Sequence, residues 1–190
     1  MTKLKGILLT EGMHGMISQV EGLAKALDIN YSHHTVETKG FWKVIPPKFT
    51  PISDSVFKKI ECEDVDLIIS CGRKSIIPSL FLKKNSKKKV FNIHIQNPKI
   101  KLDNFDLVVV PEHDNLDGHN VLKTKGAIHY LTSEEIEKDK EYLFNISSKL
   151  KDKNIISLII GGPTQYYDYS DRNIHEIFSK VLVQSPLLKL

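Results

Sequence analysis

Apolar residues in this chain gather in short closed runs, and between the runs they return every three or four positions. The runs Leu107-Val108-Val109-Val110 and Val65-Asp66-Leu67-Ile68-Ile69-Ser70 are rich in branched aliphatics, as in strands buried on both faces. Residues 4–10 and 90–96 carry the same pattern, and residues 29–36 a weaker version of it. Between them the periodicity turns helical. Met16, Val20, Leu23, Ala24 and Leu27 fall on one stripe, and Ile76, Ile77, Leu80 and Phe81 on another, with Pro78 tolerable only in a first turn. Ser53 or Asp54 predicts the cap of a short helix near 53–60. The segment Phe41-Trp42-Lys43-Val44-Ile45-Pro46-Pro47 is irregular, because its prolines forbid regular structure.

The C-terminal part continues the alternation. A sixth, shorter strand is expected within Asn120 to Ile128. Thr132-Ser133-Glu134-Glu135 is a capping box that opens a helix to about Leu150, with Ile136, Leu143, Ile146 and Leu150 on one face. Ile155 to Ile160 reads as another buried strand, and residues 171–183 as a helix turning Ile174, Ile177, Phe178 and Val181 inward. Strands and helices in alternation predict an α/β fold, a Rossmann-like, mostly parallel sheet with helices on both faces. Residues 1–150 are expected to form that domain. Residues 151–190 form one βα unit that either extends it or opens a second domain.

Right-handed crossovers place the strands' carboxyl ends along one rim, where open sheets bind ligands. Four polar loops leave the strands there: Glu11-Gly12-Met13-His14-Gly15, Gly72-Arg73-Lys74-Ser75, Gln96-Asn97-Pro98 and Glu112-His113-Asp114. The first offers two glycines and a helix N-terminus, which suits an anion or a plain tight turn. It is not the dinucleotide fingerprint, since the first half of Gly-x-Gly-x-x-Gly is missing. Gln19 lies further along the helix, where Gly22 suits close packing on the sheet. Arg73 could clamp a carboxylate or phosphate, or pair internally with Glu112 or Asp114. His113, between two acids, suits a general base or a structural hydrogen-bonding hub. His33 and His34 face opposite sides of a strand, and His119 and His129 lack partners at ligand spacing, so neither metal nor cofactor is predicted.

Composition narrows the classes. With 41% hydrophobic and 26% charged residues the chain reads as an ordinary globular protein. No apolar run reaches bilayer length, so no transmembrane segment is expected, and the N-terminus reads as a strand rather than a signal peptide. Cys62 and Cys71 have no metal or redox spacing, which favours a cytoplasmic location. The net charge of +4 comes mainly from lysine, densest at Lys83, Lys84, Lys87, Lys88 and Lys89. No aromatics interleave that cluster, so nucleic acid is not expected as a partner. A solvated helix end accounts for it, with peripheral contact to an anionic inner membrane surface as the alternative.

Three stretches resemble a known family. They are Gly12-x-x-Gly15-x-x-x-Gln19-x-x-Gly22-Leu23-Ala24-x-x-Leu27, the run from Asp66 to Lys74, and the run from His94-Ile95-Gln96-Asn97-Pro98 through Phe105 to Asp114, then Asn120-Val121-Leu122 and Lys125 to His129. Together they resemble the mitochondrial-fission (elongated mitochondria) family of bacteria and plants. Gly161-Gly162-Pro163 is similar to that family's start of a second domain. The resemblance implies a two-domain GT-B architecture and glycosyltransferase-like chemistry, with a nucleotide-sugar donor and a glycan or lipid-linked acceptor. Glu11 stands where the family typically has Asp. A second Rossmann-like domain needs on the order of 100 residues, whereas the sequence ends at Leu190, soon after Gly162. The expectation is therefore an acceptor-side domain with its C-terminal partner truncated, incomplete as an enzyme alone and open to self-association through residues 155–190.

On this reading the catalytic candidates are Glu112, His113 and Asp114. The ligand-binding candidates are Glu11, Gly12, His14, Gly15, Gln19, Arg73, Gln96, Asn97, Gly161 and Gly162. Two other readings use the same residues: a non-enzymatic protein- or membrane-interaction module built on the rim and residues 41–45, and a flavodoxin-like nucleotide-binding domain.

Overall fold

The structure is a computed structural model, and it describes residues 3–61, 64–151, 159 and 170–184. The chain divides into two units, Met1–Lys138 and Asp139–Leu190. The first holds β1 (Lys5–Thr10), α1 (His14–Ala26), β2 (Asn30–Thr35), β3 (Leu67–Cys71), α2 (Ile76–Asn85), β4 (Phe91–Ile95), β5 (Leu107–Pro111) and β6 (Val121–Thr124). Helix α3 (Ser133–Ile146) runs on into the second unit, which also contains α4 (Asp171–Gln184). The six strands form one sheet in the order β2-β1-β3-β4-β5-β6, with every pairing parallel. This is the predicted α/β, Rossmann-like arrangement.

The continuous apolar runs have two faces to fill. On one, Leu8, Ile69, Ile93 and Val109 meet Val20 and Ala24 of α1. On the other, Ile7, Ile68, Val108 and Val110 meet Ile76, Ile77 and Leu80 of α2, together with Val56 and Phe57 from the β2–β3 connection. Each such aliphatic contributes about 1.5–3 kcal/mol when taken wholly out of water, so this double burial dominates the stability of the sheet. Strand β2 closes one edge with Asn30-Tyr31-Ser32-His33-His34-Thr35, most of it exposed.

Local details depart from the sequence expectations. In place of a helix over 53–60 there is a single 3-10 turn, Asp54–Val56, whose Ser55 N–H donates to Ser53 Oγ at 3.2 Å. Phe57 leaves that turn extended, bridges to Thr38 and sets its ring edge-on to Phe81. Burial of one aromatic overrides the local capping signal. Gly22 packs not on the sheet but on the chain after β6, where a Cβ would lie 2.6 Å from the carbonyl of His129.

The capping box forms as read: Glu135 N–H donates to Thr132 Oγ1 at 3.2 Å, and Thr132 N–H to Glu135 Oε2 at 2.9 Å. Its helix ends at Ile146, with a 3-10 turn at Ser148–Leu150, and Ile136, Leu143 and Ile146 are exposed. In α4, Ile177 and Val181 are half-buried, but Ile174 and Phe178 are exposed rather than inward. The strand expected over 155–160 lies, Ile159 apart, outside the described residues.

One imidazole is part of the core. His94 Nδ1 lies 2.9 Å from Ser70 Oγ, and its ring stacks on Phe105 with centroids 5.1 Å apart. Burial pushes its pKa down to about 3, so it is held neutral. An unfolded imidazole titrates near 6.5. The stability gained by burying the neutral ring is therefore complete above pH 6.5 and is lost progressively as pH falls towards 3.

Urea unfolding between pH 7 and 4 should show this loss, and His94→Asn, which keeps a polar partner for Ser70 but cannot titrate, should flatten the slope. An unchanged slope would show that other groups carry it. Gly22→Ala should lower stability by about 1–3 kcal/mol through overpacking, although alanine is ordinarily the better helix former by about 1 kcal/mol. A rise in the urea midpoint would contradict the close approach to His129.

Candidate functional site

The strand order reverses between β1 and β3, which makes the carboxyl ends of these two strands the topological switch point. That crevice is filled from within. Glu11 Oε1 accepts the Lys74 N–H at 3.0 Å, and Glu11 Oε2 lies 3.0 Å from Lys74 Nζ. Gly72 makes the approach possible with a left-handed backbone, φ +93°, where a Cβ would stand 2.7 Å from Met16 Sδ. A carboxylate already paired with Lys74 thus occupies the place where an anion would be sought. Glu11, expected to touch ligand, is satisfied by the protein itself.

The neighbouring candidates belong to the same framework. Buried Thr10 receives the Gly12 N–H on Oγ1 at 3.1 Å and contacts His33 Nε2 at 2.9 Å, while burial lowers the His33 pKa. His14 and Gly15 are exposed in the first turn of α1. Arg73 pairs with neither Glu112 nor Asp114; its Nη2 donates to the Lys43 carbonyl at 2.9 Å. Burial, with Glu11 nearby, pushes the Cys71 thiol up to about 12, which removes it as a nucleophile.

Five of the predicted residues do meet. Gln19 from α1, Gln96 and Asn97 after β4, and His113 and Asp114 after β5 line one open cleft of about 460 Å³ on the carboxyl rim, together with Lys99. Each is positioned by backbone geometry. Gln96 has φ +87°, rare outside glycine, yet its N–H donates to the Val109 carbonyl at 2.8 Å and so ties the turn to β5. Asn97 Oδ1 accepts the Lys99 N–H at 2.9 Å, which closes a small side-chain turn. Gln19 Nε2 donates to the Gly15 carbonyl at 3.1 Å. His113 Nε2 lies 3.7 Å from Asp114 Oδ1, with the imidazole 78% exposed and the carboxylate 30%. Glu112 is exposed and does not line the cleft. Gly161 and Gly162 lie outside the described residues.

Side-chain amides both donate and accept, and a carboxylate accepts strongly, so this lining suits a ligand rich in hydroxyl groups. His113 adds an imidazole, whose ring nitrogens can donate and accept hydrogen bonds. Among the described residues no group of three or more His, Cys, Asp or Glu side chains is placed to hold a metal, and no helix is long and apolar enough to cross a membrane. Lys74 and Lys99 were not singled out from the sequence. The Asn97-x-Lys99 spacing of a side-chain turn is the one signal that could have found the second.

A family model described as mitochondrial fission ELM1 matches residues 14–186. The mitochondrial fission protein ELM1 of Arabidopsis thaliana is similar over 48 residues at 35% identity, which is 25% of this chain and 11% of that relative. The chain thus aligns with only a small part of the length of that curated relative. No solved structure matches.

The left-handed backbone at Gln96 leads to a stability prediction. Gln96→Gly should leave thermal stability unchanged or higher, because it relieves about 1–3 kcal/mol of backbone strain, while Gln96→Val should lower it. The reverse order in thermal melts would show that the turn is unstrained.

Proposed function

Because this chain belongs to the mitochondrial fission ELM1 family, we propose that it supplies the acceptor-side domain of a glycosyltransferase-like protein of GT-B type. The observation that carries the reading is the rim cleft. Gln19, Gln96, Asn97, His113 and Asp114 come from three separate elements, and their functional groups suit sugar hydroxyls. The crevice beside it supports the same assignment, since Glu11 and Lys74 already neutralise each other there and leave no vacant anion site.

In this reading an acceptor hydroxyl binds between the amides with its proton towards His113. It attacks the anomeric carbon of a nucleotide-sugar donor, the bond from that carbon to the nucleotide oxygen breaks, and the nucleotide leaves with the electron pair. His113 takes the hydroxyl proton, and Asp114 stabilises the imidazolium that forms. Residues 1–150 form the acceptor domain. Residues 151–190, with Gly161 and Gly162, extend it or begin the donor side.

Titration with methyl glycosides of glucose, galactose and N-acetylglucosamine, followed by NMR shifts, tests the cleft. At least one should bind, and Asp114→Ala should weaken it about tenfold or more, as expected for a lost hydrogen bond to a charged group. No glycoside binding, or binding indifferent to Asp114→Ala, would remove the basis of the proposal.

A further inference from the structure

Next to the polar cleft a second cavity of about 680 Å³ opens between residues 47–52 and residues 99–104. Its floor is apolar, made by the buried Ile77 and Leu80 of α2, and Ile52 and Ile100 continue that surface. Its rim carries Lys48, Lys99 and Lys101, and no acidic residue lines it. Among the described residues no carboxylate pairs with any of these three. The contrast with the lysine cluster at the end of α2 is informative. There Lys83 is matched by Asp106 and Lys88 by Asp66, each at 2.7 Å. The conspicuous charge cluster is partly neutralised, and the cavity's three cations are not.

The outer wall adds a second feature. Phe49 and Ile52 are exposed on it, and Phe41 and Val44 are exposed just before it, with Phe49 at 70% and Val44 at 74%. An apolar trough, an unmatched cationic rim and projecting apolar side chains together describe a receptor for a molecule with a hydrocarbon part next to a negative charge. Lys99 lines both this cavity and the polar cleft, so the two adjoin at that residue.

We infer that the trough seats the hydrocarbon chain of an anionic membrane lipid, with Lys48, Lys99 and Lys101 on its charged headgroup and Phe41, Val44 and Phe49 in the bilayer interface. The inference rests on the acceptor reading in one respect, that the headgroup would extend past Lys99 into the cleft and make the acceptor lipid-linked. An acidic peptide would satisfy the lysines but would leave the trough's floor unfilled, and a nucleic acid would leave the apolar wall unused.

Two measurements on the full chain test the inference. In co-sedimentation, vesicles of phosphatidylglycerol and phosphatidylcholine should bind the protein and vesicles of phosphatidylcholine alone should not. Each of Lys48→Gln, Lys99→Gln and Lys101→Gln should weaken binding about fivefold, the effect of one lysine at an anionic surface. Phe49→Ser should weaken it further, and Lys84→Gln with Lys87→Gln should leave it unchanged. In the second measurement, dodecyl phosphate below its micelle concentration should shift the fluorescence of Trp42, the single tryptophan, and inorganic phosphate should not.

Equal binding to both vesicle types, equal loss in the Lys84/Lys87 control, or the same response to inorganic phosphate as to dodecyl phosphate would overturn the inference. No sugar is present in either measurement, so failure here leaves the glycoside result standing, and the converse also holds.

Discussion

The arrangement of the carboxyl rim depends on one ion pair at the point where the strand order reverses. Glu11 leaves β1 and takes both the backbone amide and the ammonium of Lys74, at the start of the turn that leads into α2. That bond closes the crevice which a sheet of this topology would otherwise present to phosphate. Gly72 permits it by adopting a conformation other residues avoid, since a Cβ there would meet Met16 Sδ at 2.7 Å and Glu11 Oε1 at 3.0 Å. With that crevice closed, the open polar surface lies further along the rim, where the loops after β4 and β5 meet the side of α1. The position of the cleft follows from what already occupies the neighbouring space.

The same economy governs the core. Most buried polar side chains meet a fixed partner, as with His94 on Ser70, or the Nδ2 of Asn120, which donates to the carbonyls of Leu102 and Phe105 at 3.0 and 2.9 Å. Asn92 departs from this, since both of its buried amide atoms lack a hydrogen-bond partner, and the buried Oδ1 of Asn120 lacks one as well. The backbone N–H of Asn92 is paired, donating to Asp106 Oδ2 at 2.7 Å, which in turn holds Lys83. Charge at the amino-terminal side of β4 and β5 is thus spent on holding strand ends together. Charge around the trough is left available.

How much could be read in advance follows from which forces act locally. β1, β3, β4 and β5 were legible because burial on both faces demands unbroken apolar runs. β2 was faint because an edge strand carries no such demand. The helix expected near 53–60 failed because a cap is a weak, local signal and the burial of Phe57 outweighs it. That four polar loops share a rim follows from topology alone, and five candidate residues do line one cleft. Which residues pair with each other did not follow, because Glu11 finds its partner 63 positions away. No pattern of hydrophobicity encodes that distance. The acceptor of Arg73 did not follow either, since it is a main-chain carbonyl and carries no side-chain signature.

The polar sequence of β2 has a further consequence. A parallel sheet can in principle add strands indefinitely at an open edge, and an exposed edge rich in valine and isoleucine is a template for aggregation. Here the terminal strand offers Asn30, Tyr31, Ser32 and two histidines, and His34 folds back onto Ser32 at 3.2 Å instead of reaching outward. The residues that made the strand hard to recognise are the ones that make this edge a poor template for another strand.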